Sequence, residues 1–294
     1  MIETEATPAA TPQGPDATPA EFAYEVVIRP APGWRAVNWA EMYEFRELLG
    51  KLVWRDVAVR YKQSILGPAW AIIQPTIMVA IFTLGVRFLD VPMPAGLPIP
   101  VVIFAGLIPW TVFSQGMPAA AGSMVLSANM ITKVYFPRLF LPIGAAAVLL
   151  VDGVLTLPIY GVMLAYYGIA PAWTAVFLPV FLLLSLLASL GMGVALAAVT
   201  VFYRDFKHVV PYMVQLMTYV SPIFYTIELT IPPRWRPILS LNPMFGIIDG
   251  CRSAVLGLPM QWECLLISTA STLVLFFAAI HYFRRTERLF ADHV

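Results

Sequence analysis

The side chains of this sequence that could do chemistry are mostly acids, and they are scattered. Asp56, Asp90, Asp205 and Glu228 stand far apart and form no pair of the kind that general acid–base work needs. Asp152 differs, because the stretch from Leu139 to Tyr203 contains no other charge. A carboxylate deep in an apolar helix costs about 2.5–3.5 kcal/mol to insert, so it has to face protein and meet a partner. A proton relay or cation site normally needs a second such group, and a hydrogen-bonded structural acid is therefore favoured over a transport site. Asp249 and Arg252 lie three apart, on one face of any helix that holds them, and are placed to satisfy each other at shallow depth. No G-x-x-x-x-G-K-[ST] occurs, so the chain does not itself cradle nucleotide phosphates. H-E-x-x-H is missing too, and three His and two Cys show no metal-ligand spacing, so no metal site and no cofactor is expected in this chain. Cys251 and Cys264 could pair, but small buried thiols are the commoner reading.

The elements that position these groups are those of a membrane protein. Of the residues 60% are hydrophobic and only 12% charged, with mean hydropathy +0.78, where soluble domains carry about a quarter charged. A net charge of +1 gives no basic balance suited to nucleic acid. Residues 1–20, full of Thr, Pro and Ala and without a basic residue or an apolar core, read as a disordered cytoplasmic tail and not as a signal peptide, and with a lead-in the tail extends over 1–37. Asn38 with Glu41 forms a capping pattern, after which Trp39, Met42, Tyr43, Leu49, Leu52, Val53 and Val57 recur at helical spacing. The segment 38–62 is expected to be an amphipathic helix in the interface plane.

About 20 apolar residues cross a bilayer core of about 30 Å. Spans are expected near residues 68–88, at 101–121, at two stretches of 139–203 parted by Gly168-Ile169-Ala170-Pro171, at 209–227 and at 265–283. The expectation is an all-α integral membrane protein with six transmembrane helices over residues 63–284 and a cytoplasmic C-terminal tail at 285–294. With both termini, the 122–138 loop and the 203–208 loop on one face, only Arg87, Arg234, Arg236 and Arg252 lie opposite. The other fourteen of the eighteen Lys and Arg place that face, and both termini, in the cytosol. Between the last two spans, Met244–Leu258 is apolar but too short to cross, and prolines punctuate its surroundings. A re-entrant extracytoplasmic hairpin is favoured there over a surface hairpin. Aromatic residues including Trp70, Trp110, Tyr135, Phe136, Tyr203, Tyr219, Phe224 and Tyr225 gather near the expected span ends, mostly as an interfacial belt.

Six blocks in order then resemble one family. Val53-Trp54-Arg55-Asp56 with Arg60-Tyr61-Lys62-Gln63-Ser64-x-Leu66-Gly67, Trp70 and Gln74-Pro75 resemble the entrance region of permease subunits of ABC-2 type polysaccharide exporters, which move O-antigen, teichoic acid and related chains. Gly106-Leu107-Ile108-Pro109-Trp110, Lys133-Val134-Tyr135-Phe136-Pro137-Arg138, Tyr203-Arg204-Asp205, Ser221-Pro222-Ile223-Phe224-Tyr225 and Leu241-Asn242-Pro243 match further blocks. The resemblance implies a homodimeric transport subunit in the cytoplasmic (inner) membrane, served by two copies of a separate ABC ATPase that binds the ATP and Mg. It also implies a lipid-linked glycan substrate, with no catalysis by this chain.

On that resemblance, Ser64, Leu66, Gly67 and Pro68 border the substrate entrance. Ser127, Asn129, Lys133, Tyr135, Phe136 and Arg138, with Arg204 and Asp205, couple to the ATPase. Asn242, Pro243, Gly246, Asp249, Gly250 and Arg252 belong to an extracytoplasmic gate hairpin, hinged at Gly246, Gly250 and Gly257. Trp70, Tyr219, Phe224 and Tyr225 are candidates for the channel lining. Two other readings stay open: an ABC-2 permease for a drug or lipid, and a membrane enzyme acting on lipid-linked sugars.

Overall fold

Apolar runs fold as helices because, in hydrocarbon, every backbone N–H and C=O needs a partner within the protein. The computed structural model describes residues 39–62, 69–131 and 136–292, and among these there is no strand. The main helices are α1 (Arg46–Lys62), α2 (Ala69–Phe88), α3 (Ile99–Leu126), α4 (Phe140–Tyr166), α5 (Leu178–Phe202), α6 (Phe206–Val220), α7 (Pro243–Leu256) and α8 (Trp262–Thr286). Among the described residues four stretches are long and apolar enough to cross a membrane: Ile99–Leu126, Phe140–Tyr166, Trp173–Phe202 and Trp262–Thr286. A shorter apolar run, Ile72–Phe88, lies within α2.

The expected break at Gly168–Pro171 falls between α4 and α5, where Gly168 takes φ +67. The stretch 209–227 is not one helix. Pro222 lacks an N–H and disfavours helical backbone at the residue before it, so Ser221 is extended and α6 ends at Val220. Its fifteen residues reach about 22 Å. The helix expected over 38–62 is interrupted at Phe45, between a short turn Trp39–Glu44 and α1. Tyr43, expected on the apolar face, is exposed, with the Arg46 guanidinium 4.1 Å from its ring centre. Asn38 and the expected tail lie outside the described residues.

α3 is the centre of the bundle, packed chiefly on α5 and α4 and flanked by α7, α2 and α6. Small residues let the backbones close up. A Cβ on Gly193 of α5 would stand 2.6 Å from that of Ala120 and 3.0 Å from the Met117 carbonyl, both on α3. Lipid is as apolar as the helices, so such close packing replaces the hydrophobic drive that water supplies elsewhere. Buried hydroxyls of Thr156, Ser185 and Thr200 donate to carbonyls three or four residues back on their own helices, at 2.6, 2.8 and 2.7 Å. Trp110 is also buried, tilted against Phe113 at 5.4 Å, and stands in the core instead of the interfacial belt.

The C-terminal segment differs from a free tail. α8 runs on to Thr286, and Glu287–Asp292 follows as a 3-10 turn whose Phe290 is fully buried.

Candidate functional site: buried charges and the connecting loops

α7 is a well-delimited helix. The Asn242 side chain accepts from the Met244 N–H at 3.1 Å, Pro243 occupies the first turn where no N–H is needed, and Gly257 closes the helix with φ +67. Every residue from Pro243 to Val255 is buried, against α3, α5 and α8. Arg252, only 1% exposed, therefore needs its partners inside the protein. The interrupted backbone after α6 supplies them. Nη2 donates to the carbonyls of Pro222 at 2.6 Å and Ile223 at 2.9 Å, Nη1 to Tyr225 at 2.9 Å, and Nε to Val102 of α3 at 3.1 Å.

Asp249 and Arg252 meet as the spacing suggests, in an i,i+3 ion pair of 3.6 Å. It is the longest contact Arg252 makes, because the planar guanidinium fork also serves several carbonyls at shorter range. Arg252 of α7 thus pins the non-helical segment that follows α6 at Pro222, Ile223 and Tyr225. Gly106 of α3 is the slot for this arrangement, since a Cβ there would lie 2.7 Å from Nη2 of Arg252 and 3.2 Å from Cγ2 of Ile248.

The expected hinges at Gly246 and Gly250 are also corrected. A Cβ at Gly246 would fall 2.3 Å from the Cys264 carbonyl oxygen, and one at Gly250 would fall 2.8 Å from the Phe181 ring. Both are contact glycines inside a helix, and only Gly257 has the left-handed backbone that a Gly relieves. α8 reinforces the join: the Ser268 hydroxyl accepts from the Gly246 N–H and faces the carbonyls of Ser240 and Asn242, and Ser271 donates to Leu241. Asn242 also donates to the Ser221 hydroxyl at 3.0 Å. Cys251 and Cys264 are buried free thiols.

Asp152 has the partner that its burial demands, and that partner comes from α1. Arg60 Nη2 meets Oδ2 at 2.5 Å and Gln115 Oε1 of α3 at 2.7 Å, while the Tyr61 hydroxyl donates to Oδ1. The Asp152 side chain is 7% exposed and that of Arg60 41%. Burial, and then the hydrogen bond to the carboxylate, hold the Tyr61 phenol above its ordinary pKa, so it stays a donor. Leu49, Leu52 and Val53 of α1 lie just under 4 Å from where a Cβ on Gly144 would stand, so contacts advance along α1 and α4 in the same direction. One acid thereby gathers α1, α3 and α4.

The other expected site residues are dispersed. Ser64, Leu66, Gly67, Pro68, Lys133 and Tyr135 lie outside the described residues. Ser127 ends α3 and its carbonyl accepts from Met130 and Ile131, starting the short turn Ala128–Ile131 that carries exposed Asn129. Phe136 is buried, and Arg138 Nη1 donates to the Glu287 carbonyl at 2.8 Å. Arg204 and Asp205 are exposed between α5 and α6. Trp70 and Tyr219 are exposed at 53% and 62%, whereas Phe224 stacks on Phe82 at 5.5 Å and the Tyr225 hydroxyl donates to Val220 at 2.8 Å. Among the described residues no group of His, Cys, Asp or Glu could hold a metal.

A multi-helix bundle with apolar stretches long enough to cross a membrane and a buried short helix agrees with what the chain is similar to. Residues 47–256 match the ABC-2 type transporter family, and the chain belongs to that family. It is 31% identical over 258 residues to an O-antigen export system permease protein of Myxococcus xanthus, covering 86% of this chain and 98% of that protein. An O-antigen export system permease protein of Klebsiella pneumoniae is 25% identical over 248 residues, covering 84% and 94%. A polysialic acid transport protein of Escherichia coli is 26% identical over 240 residues, covering 79% and 91%.

Proposed function

We propose that this chain is the membrane-embedded subunit of an ATP-driven exporter for a lipid-linked polysaccharide of the O-antigen or capsule type. The observation that carries the reading is the 31% identity along 98% of an O-antigen export permease, together with family membership over residues 47–256. Energy comes from a separate ABC ATPase, since the sequence has no phosphate-binding loop. The working unit is a homodimer of this chain with two ATPase subunits in the cytoplasmic membrane, both termini in the cytosol. On this reading α2 and α6 complete six crossings with the four longer stretches, and residues 63–68 border the glycan entrance. The 122–138 and 203–208 loops meet the ATPase.

The extracytoplasmic gate is assigned to the 232–257 region. Its moving part is the exposed arm ahead of Asn242, because α7 is buried and pinned through Arg252 and Ser268.

In cells lacking this chain, surface glycan is expected to disappear while lipid-linked glycan accumulates inside. Restoration is expected to need both this chain and its ATPase. Undiminished surface glycan in the deletion strain would end the proposal.

A further inference from the structure

The segment Glu287–Phe290 ties together the two cytoplasmic connections that the sequence treats as separate. The Phe290 ring, fully buried, meets Phe283 at 5.2 Å and Phe202 at 5.8 Å, and it shares a cluster with Ile131, Phe136, Leu139 and Phe140. Phe202 immediately precedes the 203–205 connection, and Ile131 and Phe136 flank the 132–135 segment of the other. Polar bonds reinforce the ring. Arg138 Nη1 donates to the Glu287 carbonyl at 2.8 Å, and Arg284 Nη1 meets the Glu287 carboxylate at 2.9 Å. Among the described residues, the charges left outward at this end include Arg46, Lys51, Arg204, Lys207 and Arg285, with Glu44, Glu47 and Asp205 as acids among them, and beside Phe290 the Leu289 side chain is 52% exposed.

We infer that the C-terminal turn is a clamp that joins the two connections into one basic platform, and that its exposed edge at Arg285 and Leu289 is itself part of the docking face for an acidic surface of the ATPase subunit. This rests on the functional reading above, because it takes the ATPase as the partner. A burial as complete as that of Phe290 is unneeded in a free tail, whereas a platform receiving mechanical force from a partner needs its loops fixed relative to each other. The excess of exposed Arg and Lys gives that partner's contacting surface its sign.

The test uses the full chain co-expressed with its ATPase. Leu289→Cys, Arg285→Cys and Arg204→Cys are probed with a maleimide, and the native Cys251 and Cys264 are buried and give a low background. Each substitution is at an exposed position, so folding is not at stake. Labelling at all three is expected to fall about fivefold or more when the ATPase is bound, the factor that about 1 kcal/mol of protection represents. Protection at Arg204→Cys with none at Leu289→Cys or Arg285→Cys overturns the inference and leaves the ATPase reading intact. No protection at any of the three overturns both.

A second measurement separates clamp from edge. Phe290→Ala, in protein of unchanged elution volume, is expected to lower ATPase capture about fivefold, with Phe290→Leu recovering most of it. Capture and glycan-stimulated hydrolysis equal to the parent in Phe290→Ala overturn the clamp.

Discussion

At Arg252 a buried cation sits in a cup of four backbone carbonyls, and its acid, Asp249, stands off at 3.6 Å. At Asp152 a buried anion is met by two side chains, one of them, Arg60, 41% exposed. The first site is saturated: its hydrogen-bond acceptors are all main-chain carbonyls, fixed by the backbone on either side. The second is bridged from the rim, by residues on the last turn of α1 just ahead of the 63–68 segment. Buried charge is therefore used here in two ways, to freeze an irregular stretch of backbone at one place and to fasten a peripheral helix at another. The difference teaches that the region around α7 is braced internally, while the approach to the proposed glycan entrance is held by a connection that is partly exposed at the protein surface.

The contrast can be broken most forcefully at Arg252. Arg252→Leu strands four carbonyls and an unpaired Asp249, and a loss of about 3–5 kcal/mol is expected. It is read as a lowered Tm or loss of a monodisperse peak in detergent. Arg252→Lys is expected to recover little, since one ammonium cannot span the carbonyls that the planar fork serves. A Tm equal to the parent for Arg252→Leu would show that the cup is incidental. Next comes Gly106→Ala, whose added carbon would lie 2.7 Å from Nη2; overpacking of about 1–3 kcal/mol is expected, in the same thermal scan.

At Asp152 the expected effects are smaller and local. Asp152→Asn keeps a hydrogen-bond acceptor for Tyr61 but loses the ion pair, and with Arg60 partly exposed about 1 kcal/mol is at stake. Hydrogen exchange is expected to rise across the last turn of α1 while the global Tm holds. A charge-swapped pair, Arg60→Asp with Asp152→Arg, is expected to restore protection, and failure to do so would make the contact one of shape alone. Tyr61→Phe removes a single bond and is expected to cost about 1 kcal/mol or less, seen in the same exchange experiment. If it instead lowers the Tm as far as Arg252→Leu does, the two sites are one cooperative unit and the distinction disappears.

Much of the helical layout was legible in the sequence, because hydrophobic runs and their Gly and Pro interruptions report directly on backbone that lipid forces into helices. The need of Asp152 for a partner was equally legible from the cost of an unpaired carboxylate. Its identity was not: Arg60 is 92 residues away, on a helix expected to lie outside the bundle. For Arg252 the pairing with Asp249 was legible and the carbonyl partners were not. Its nearest acid in sequence is three residues off, whereas its best acceptors are carbonyls, which carry no residue type and leave no pattern to read. Gly246 and Gly250 look like hinges in one dimension, and only the Cys264 carbonyl and the Phe181 ring show them to be contact points. The end of α6 could have been read, since Pro222 marks it; the apolar run through Ile223 and Phe224 concealed a break that the proline had already announced.

The cup around Arg252 also orders events during synthesis. Its oldest member, the Val102 carbonyl, leaves the ribosome 150 residues before the arginine that uses it. Taken alone, Pro243–Leu256 would bring an Arg and an Asp into lipid at about 2.5–3.5 kcal/mol each, with too few residues to reach the far side. Insertion machinery that weighs one segment at a time rejects such a stretch. On the reading that this segment re-enters the membrane, it is expected to enter by docking onto earlier parts of the chain, which hold the four carbonyls that receive the guanidinium.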